Sequence, residues 1–320
     1  MPSPSSRILE LLYDRREGYF LLSELASAAG ADQAAVERLL HELAQRGHEL
    51  EYSPTAGVRL GRPVQIDAHL IERNLLTKRV GRNVICFDEV DSTNDVAISS
   101  ARQAGADGLA VLSRSQRAGR GRHGHHWISP AGANVLMSVL LVDASLPHEP
   151  LTIAGGLAVA EGITDATGVS CDLKWPNDVL LEGAKVSGVL VEVRQVQRRR
   201  CLVVGIGINV NAAPPEGGTA RPATCLAQRL GHQVECIEVA QAVLRRLDAW
   251  VAAIGQGQLG QLRQRWMARC GMINERVTIL RNGQRHCGRV LDVDPLEGLL
   301  LCYDSGVQAV LPAEGSNVAI

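Results

Sequence analysis

The first sixty positions of the chain carry apolar residues at helical spacing. Short helices are predicted around residues 8–12, 22–30 and 32–40. Gly30 lies where a tight turn between the second and third helices needs a positive φ angle, and Asp32 can cap the third helix. Residues 49–60 then alternate between apolar and polar around a glycine turn, which is typical of a β-hairpin. We therefore predict a winged helix-turn-helix domain over residues 1–62.

The remaining chain divides into two regions with different patterns of apolar residues. Strands are predicted at residues 84–87, 109–112, 135–141, 186–193 and 202–210, and helices at residues 153–167 and 237–254. Because this order is not a regular strand–helix alternation, we predict an α+β domain with a mixed sheet over residues 63–271. Residues 272–320 show four short strands separated by glycine-containing turns, which predicts a small β-barrel.

Composition excludes several classes of protein. The 320 residues carry a formal net charge of -1, which argues against a generic nucleic-acid coat or a binder of anionic membranes. No apolar run is long enough to span a membrane, and the first residues lack the order of a signal peptide. The eight cysteines are dispersed without a CxxC pair, so we expect reduced thiols in a cytoplasmic protein rather than disulfides or a zinc ribbon.

A glycine- and arginine-rich loop is the most informative segment. Residues 115–127 hold three glycines and three arginines, and they end at Trp127. Glycine lets backbone N–H groups reach phosphate oxygens, and arginine fits phosphate or carboxylate with two parallel hydrogen bonds. The glycines also match G-x-G-x-x-G, but Pro130 and Gly132 interrupt the helix that a dinucleotide site would need. An exposed basic loop is the alternative interpretation.

Three further clusters could carry chemistry, and each has a structural alternative. Residues 91–95 (Asp-Ser-Thr-Asn-Asp) precede a predicted helix, where a capping box alone would account for them. Residues 174–178 (Lys-Trp-Pro-Asn-Asp), followed by Lys185 and Gly188, could be a hairpin turn with a salt bridge. Residues 205–211 place two glycines inside a strand, which indicates either close approach of a ligand or strand packing.

In this order, the four clusters resemble the biotin–protein ligase family. The whole chain is similar to the bifunctional ligases that also repress biotin operons. The resemblance implies a central domain like that of class II synthetases and an SH3-like C-terminal barrel. It also implies the reaction: ATP activates biotin as biotinyl-5'-adenylate, and a lysine of a biotin carboxyl carrier protein, an acetyl-CoA carboxylase subunit, then takes the biotin. Mg²⁺ accompanies the polyphosphate.

The resemblance also assigns roles to individual residues. Biotin contacts are implied for Ser92, Thr93, Asn94, Gln116, Arg120, Gly121, Arg122, Lys185 and Gly188. Contacts with ATP or the adenylate are implied for Arg120, Arg122, Trp127, Asn177, Lys185 and Asn209. Catalytic roles are implied for Arg122 and Lys185, and Asp178 is our hypothesis for activating or holding the incoming lysine. Glu314 matches an acidic position that reaches back toward the active-site domain.

The loop departs from the family pattern at three histidines. His123, His125 and His126 stand where the family often has arginine or lysine. Histidine titrates near neutral pH, so we expect retention of the adenylate to vary between pH 6 and pH 8. Metal binding by these histidines is the weaker alternative, because the loop holds no carboxylate or cysteine at ligand spacing, and we expect no resident metal.

The N-terminal segment gives a mixed signal about DNA. Its presumed recognition helix offers Gln33, Arg38 and His41 to bases or phosphates. Residues 1–62 nevertheless carry a net charge of -2, whereas DNA readers gain affinity by neutralising phosphates. Two interpretations therefore stand: a domain that binds operator DNA, or a retained domain that packs or dimerises.

Four classes of function remain for comparison. A ligase is favoured over a ligand-responsive DNA-binding regulator with secondary or lost ligase activity, because Arg120, Arg122 and Lys185 are all present. The Gly-Arg-Gly-Arg loop argues against a lipoate or octanoate transferase, and a nicotinamide-dependent oxidoreductase is a remote fourth. Family members often form homodimers through the central sheet, but the sequence does not decide the oligomeric state.

Overall fold

The computed structural model describes residues 3–15, 18–142, 145–215, 222–294, 296–313 and 315–319. Its first elements are α1 (Pro4–Asp14), α2 (Leu22–Ala29), α3 (Gln33–Gln45), β1 (Leu50–Ser53), β2 (Gly57–Leu60) and α4 (Ala68–Glu72). Gly30 ends α2 with a φ angle of 66°, and the Asp32 carboxylate accepts the Ala35 N–H at 2.7 Å to cap α3. The predicted helices, turn and hairpin are therefore present.

Ion pairs fasten this N-terminal part to the rest of the chain. Asp67, which caps α4, accepts hydrogen bonds from Arg46 and from His48, whose ring nitrogen lies 3.3 Å away. Both Asp67 and His48 are buried. Glu235 binds the Arg62 guanidinium at 2.9 Å. The short connection between the hairpin and α4 is thus held by charged groups from both sides.

A seven-stranded mixed sheet forms the centre of the molecule. Its elements are β3 (Val84–Val90), α5 (Thr93–Ser100), β4 (Ala110–Gln116), β5 (Val135–Val142), α6 (His148–Thr167), β6 (Asp172–Lys174), β7 (Asp178–Leu181), β8 (Ala184–Val196), β9 (Arg199–Ile208), α7 (Leu226–Leu230), α8 (Cys236–Gly255) and α9 (Leu259–Met267). The strand order is β3-β4-β5-β9-β8-β7-β6. Only β3 and β4 pair in parallel. The expected α+β class with a mixed sheet is confirmed.

Helices cover both faces of this sheet. Gly155 lets α6 lie directly on β8, because a Cβ there would come within 2.7 Å of Val189. Gly162 lets α8 cross α6 closely, since its Cβ would lie 2.6 Å from the Val243 side chain. On the opposite face, α5 packs a smaller apolar cluster against alternate residues of the same strands. The backbone of α5 therefore begins directly above the middle of the sheet.

A five-stranded antiparallel sheet closes the chain. Its strands are β10 (Arg276–Arg281), β11 (Gln284–Asp294), β12 (Gly298–Tyr303), β13 (Gln308–Leu311) and β14 (Ser316–Ala319). The order β13-β12-β11-β10-β14 places the last strand beside the first. The four predicted strands are present, but the prediction missed β14, whose sequence Ser-Asn-Val-Ala shows no alternation of apolar and polar residues. Among the described residues, no helix is long and apolar enough to cross a bilayer.

Candidate active site

One cavity of about 510 Å³ opens between α5, the glycine-rich loop, β8 and β9. All thirteen residues that the sequence predicts for catalysis or for binding biotin and ATP line it: Ser92, Thr93, Asn94, Gln116, Arg120, Gly121, Arg122, Trp127, Asn177, Asp178, Lys185, Gly188 and Asn209. Motifs that are far apart in sequence thus meet at one place. Glu314 lies outside the described residues.

A group of buried polar side chains occupies the start of α5. The capping-box alternative is wrong in its detail, because Ser92 at the helix start makes no side-chain capping bond. The Gln116 side chain instead accepts the Thr93 N–H at 2.8 Å. The Ser138 hydroxyl lies 2.5 Å from Asn94 Oδ1 and 2.7 Å from Thr93 Oγ1. These donors and acceptors are fixed in place before any ligand enters.

The glycine-rich loop folds back on itself above the cavity. The Gly121 N–H donates to the His125 carbonyl at 2.7 Å, and the Trp127 N–H donates to the Gly119 carbonyl at 2.9 Å. The Trp127 ring then lies flat against the strand at Gly207, where a Cβ would come within 2.4–2.8 Å of ring atoms. The two strand glycines of the fourth motif therefore serve close approach, and Gly207 accommodates the indole.

The two central arginines of the loop have different surroundings. Arg120 makes two 2.7 Å bonds to Asp95 and a 3.1 Å bond to Glu192, and the bond to Asp95 raises the pKa of its guanidinium. Arg122 instead donates to neutral acceptors, the side chain of Asn177 at 3.3 Å and the carbonyl of Ala313. Burial lowers the pKa of Arg122. An entering anion would therefore meet Arg122 as the cation that no carboxylate neutralises by direct contact.

Lys185 and Asp178 form an ion pair at the same wall of the cavity. The Lys185 ammonium lies 2.5 Å from Asp178 Oδ1 and 5.8 Å from the centre of the Trp127 ring. Lys185 is held in place by its backbone, which bonds to residues 222 and 224. A second cation is thus positioned beside Arg122 with a carboxylate in contact with it.

Two buried polar atoms near the indole have no hydrogen-bond partner among the described residues. They are Asn209 Oδ1 and Trp127 Nε1. The Asn209 amide is oriented by its other end, since Nδ2 donates to the Thr224 carbonyl at 3.0 Å. A buried polar atom without a partner is costly, so these atoms are suited to a polar ligand.

Comparisons with known proteins agree with this geometry. Residues 86–209 match the model of the biotin/lipoate A/B protein ligase family. The chain is 33% identical to the bifunctional ligase/repressor BirA of Bacillus subtilis over 243 residues, which are 74% of this chain and 75% of that protein. It is also 33% identical to the biotin–[acetyl-CoA-carboxylase] ligase of Mycobacterium tuberculosis, over 78% of this chain and 95% of that one. The chain belongs to the biotin protein ligase family.

A solved relative shows the same architecture as this ligase. The biotin protein ligase of Aquifex aeolicus, in complex with biotin and ATP, is 28% identical and superimposes with a TM-score of 0.64. The match covers 74% of this chain and 99% of that one. The family expected from the four motifs is thereby confirmed.

Sequence reasoning missed three contributors to the site of the ligase. Ser138 lies inside a buried apolar strand, where a lone serine is itself a signal of a polar role. Asp95 has no role in the sequence prediction beyond the capping-box alternative, yet it binds Arg120. The Ala313 carbonyl carries no sequence signal at all. Each depends on which elements become neighbours in space.

The residues proposed to read DNA lie apart from the cavity. Gln33, Arg38 and His41 are exposed on α3, and the His41 ring lies 3.0 Å from the Gln45 side chain. Glu37 is exposed on the same helix. The ligase therefore presents a helix face of mixed charge there.

No metal site is built from protein side chains in the part of the ligase that the structure describes. No group of three or more His, Cys, Asp or Glu residues lies close enough to hold an ion. The Asp178 carboxylate at the cavity wall is paired with Lys185. Mg²⁺ would fit only as a companion of the nucleotide phosphates.

Proposed function

We propose that this chain is an ATP-dependent ligase that activates biotin as biotinyl-5'-adenylate. It then transfers the biotin to a lysine of a biotin carboxyl carrier protein of acetyl-CoA carboxylase. The observation that carries the proposal is the single cavity that gathers all thirteen predicted contacts. The relatives from Bacillus subtilis and Mycobacterium tuberculosis, which are named as ligases of this kind, support it.

The first step brings two anions together. A biotin carboxylate oxygen attacks the α-phosphorus of ATP, and the bond to the leaving pyrophosphate breaks. Arg122 and Lys185 line the cavity wall where these groups would meet. Fixed cations offset the repulsion and stabilise the charge that develops in the transition state. We assign this role to the two residues.

The second step needs a neutral amine. The ε-amino group of the carrier lysine attacks the acyl carbon, AMP leaves, and the amine loses a proton as the amide forms. Asp178 lies at the cavity wall, so it can hold the incoming amine or accept its proton. We assign it that role.

The two ends of the adenylate have different partners. The polar group of Ser92, Thr93, Asn94 and Gln116 offers donors and acceptors suited to the ureido ring of biotin. The Trp127 face and the orphan oxygen of Asn209 suit an adenine, which presents a flat ring and an exocyclic amine. We therefore place biotin against α5 and the nucleotide beside Trp127.

Two assays on the full chain test this proposal. The first measures ATP–pyrophosphate exchange that depends on biotin, and the second measures labelling of a biotin-acceptor domain. We expect activity in both, and Arg122→Ala to lose roughly 100-fold or more in exchange, the usual cost of removing one preorganised donor. Wild-type protein that is inactive in both assays would overturn the proposal.

DNA binding is a second candidate function. The three helices and hairpin of residues 3–60 have the order of a winged helix-turn-helix, and the Bacillus subtilis relative is named a repressor. Four arginines of residues 3–62 are nevertheless paired with carboxylates: Arg15, Arg46, Arg59 and Arg62. We propose a weak operator binder whose affinity changes little with salt, because few cations are left to displace counterions.

Mobility-shift experiments at two salt concentrations, with and without biotin and ATP, test this second function. Binding that requires both substrates would support it, and absence of binding at the lower salt concentration would contradict it.

We further propose three domains, residues 1–62, 63–271 and 272–320, the last an SH3-like barrel.

A further inference from the structure

Two carboxylates that bind Arg120 connect the start of the glycine-rich loop to the body of the protein. Arg120 stands at the start of the folded segment 119–127, where its backbone bridges to His126. Its guanidinium leaves the loop and binds Asp95 on α5 and Glu192 on β8. Three separate elements therefore meet at one side chain.

The geometry at Asp95 is that of a strong pair. Both carboxylate oxygens lie 2.7 Å from separate guanidinium nitrogens, an arrangement that fixes direction as well as distance. The pKa of the Asp95 carboxyl is lowered by its hydrogen bond from Arg120. Both side chains of the pair are partly exposed to solvent, so the ion pair is weak enough to break and re-form.

Glu192 joins this tie to the polar group of the cavity. Its carboxylate accepts the Asn94 side-chain N–H at 2.6 Å and also binds Arg194 at 2.7 Å. Asn94 in turn contacts Ser138 at 2.5 Å. The Glu192 carboxylate therefore links Asn94, which lines the cavity, to Arg120 of the loop.

Charge also separates Arg120 from its neighbour Arg122. Two carboxylates already face the Arg120 guanidinium, so it adds little attraction for another anion. Arg122 donates its hydrogen bonds to neutral acceptors, and the carboxylates of Asp178 and Glu149 act on it through charge without a direct bond. The Arg120 guanidinium is consequently suited to hold the loop at the cavity that this residue lines.

We propose that Asp95 and Glu192 are positioning residues that act through Arg120, holding residues 119–127 over the cavity. This tie slows escape of the acyl-adenylate between the two steps. The inference rests on the proposed ligase function. The loop carries Trp127 at its end, so opening the tie uncovers the nucleotide side of the cavity.

The test uses full-length protein and the isosteric variant Asp95→Asn. Release of preformed adenylate is followed after dilution, alongside KM for biotin and kcat for adenylate formation. Breaking an exposed ion pair typically costs up to about 1 kcal/mol, so we expect release and KM to rise roughly fivefold. The kcat for adenylate formation should stay within about twofold, since Asp95 is not among the residues that line the cavity.

Asp165→Asn supplies a matched control. Asp165 binds Arg246 with two bonds of 2.6 and 2.8 Å, with comparable exposure but far along the chain from the loop. Release rates equal in Asp95→Asn, Asp165→Asn and wild type would overturn the proposal. Asp95→Glu should recover part of the retention, because it restores the charge.

A double-mutant cycle shows whether Asp95 acts through Arg120. Adding Asp95→Asn to Arg120→Ala should change release no further, whereas additive effects would contradict a tie through that residue.

Trypsin cleavage within residues 117–127 of unliganded protein gives a readout that needs no activity. Faster cleavage in Asp95→Asn supports the tie and unchanged cleavage overturns it, even if the wild type forms no adenylate and the proposed function fails.

Discussion

The Lys185 ammonium lies 2.5 Å from Asp178 Oδ1, which joins strands β8 and β7 at the wall of the cavity. Lys185 is partly exposed, while Asp178 is nearly buried. The pair therefore presents one cation and one carboxylate to the same small volume. These two side chains can serve the two steps of the proposed reaction in turn.

Replacing Lys185 should damage the first step most. Lys185→Gln removes the charge but keeps an unbranched polar side chain, so we expect adenylate formation to fall roughly 100-fold. The measurement is biotin-dependent pyrophosphate exchange at saturating substrates. Lys78→Gln, at an exposed lysine outside the cavity, is the control. Exchange at the wild-type rate in Lys185→Gln would remove Lys185 from the mechanism.

Replacing Asp178 should separate the two steps. Asp178→Asn removes the proposed base but leaves Arg122 and Lys185 in place, so transfer to the carrier should slow by about 10²–10⁴-fold, the range for a general base. Adenylate formation should fall much less. Single-turnover measurement of each step checks this, and equal losses in both steps would assign Asp178 to positioning Lys185 alone.

A methyl group at Gly207 should weaken nucleotide binding. The added Cβ would lie within 2.8 Å of the Trp127 ring and force the indole away from the strand. Overpacking of this kind costs about 1–3 kcal/mol, so the Kd for ATP should rise roughly tenfold or more. Calorimetry measures the Kd, and Gly260→Ala, where nothing lies within 4 Å, is the matched control. Unchanged affinity in Gly207→Ala would place the nucleotide elsewhere.

The four motifs predicted which residues would share a site, and the structure gathers them around one cavity. The contacts of Arg120 could not be predicted in the same way. Asp95 and Glu192 become neighbours only because α5 lies over the sheet and β8 runs beneath it, which is a matter of strand order and register. Likewise, β14, the last strand of the chain, pairs with β10, the first strand of the C-terminal sheet. The local pattern of apolar residues indicates helices and strands, but the partners of a side chain depend on how those helices and strands are arranged in space.

The cysteines should differ strongly in reactivity. Burial raises the pKa of the Cys86, Cys171 and Cys236 thiols to about 12, and that of Cys270 to about 11. Cys287 is exposed on β11. Because the thiolate is the reactive form, maleimide at pH 7.5 should modify Cys287 first. Mass spectrometry identifies the site, and a rapid phase that survives Cys287→Ser would contradict the assignment.

The junction at Asp67 should make stability depend on pH. Burial acts to raise the pKa of this carboxyl, but the bonds from His48 and Arg46 outweigh it, and the pKa lies below the ordinary 3.8. Because the pKa is lower in the folded state, the ionised Asp67 carboxyl stabilises the protein above pH 3.8. That stabilisation is lost as the pH falls through the folded-state pKa.

The variant Asp67→Asn measures this contribution. It keeps the shape of the side chain, and we expect it to lower the free energy of unfolding at pH 6 by about 1–2 kcal/mol. Urea denaturation from pH 6 to pH 3 should show the difference from wild type narrowing at the acid end. A difference that stays constant over that range would assign the effect to packing instead of charge.

The Arg122 guanidinium donates to the main-chain carbonyl of Ala313, which joins the active-site loop to the segment that follows β13. A carbonyl is the same in every residue type, so this contact leaves no signal of its own in the sequence, and the small buried side chain of Ala313 is dictated by core packing instead. Shortening the chain just before residue 313 would remove that acceptor from an otherwise complete set of motifs.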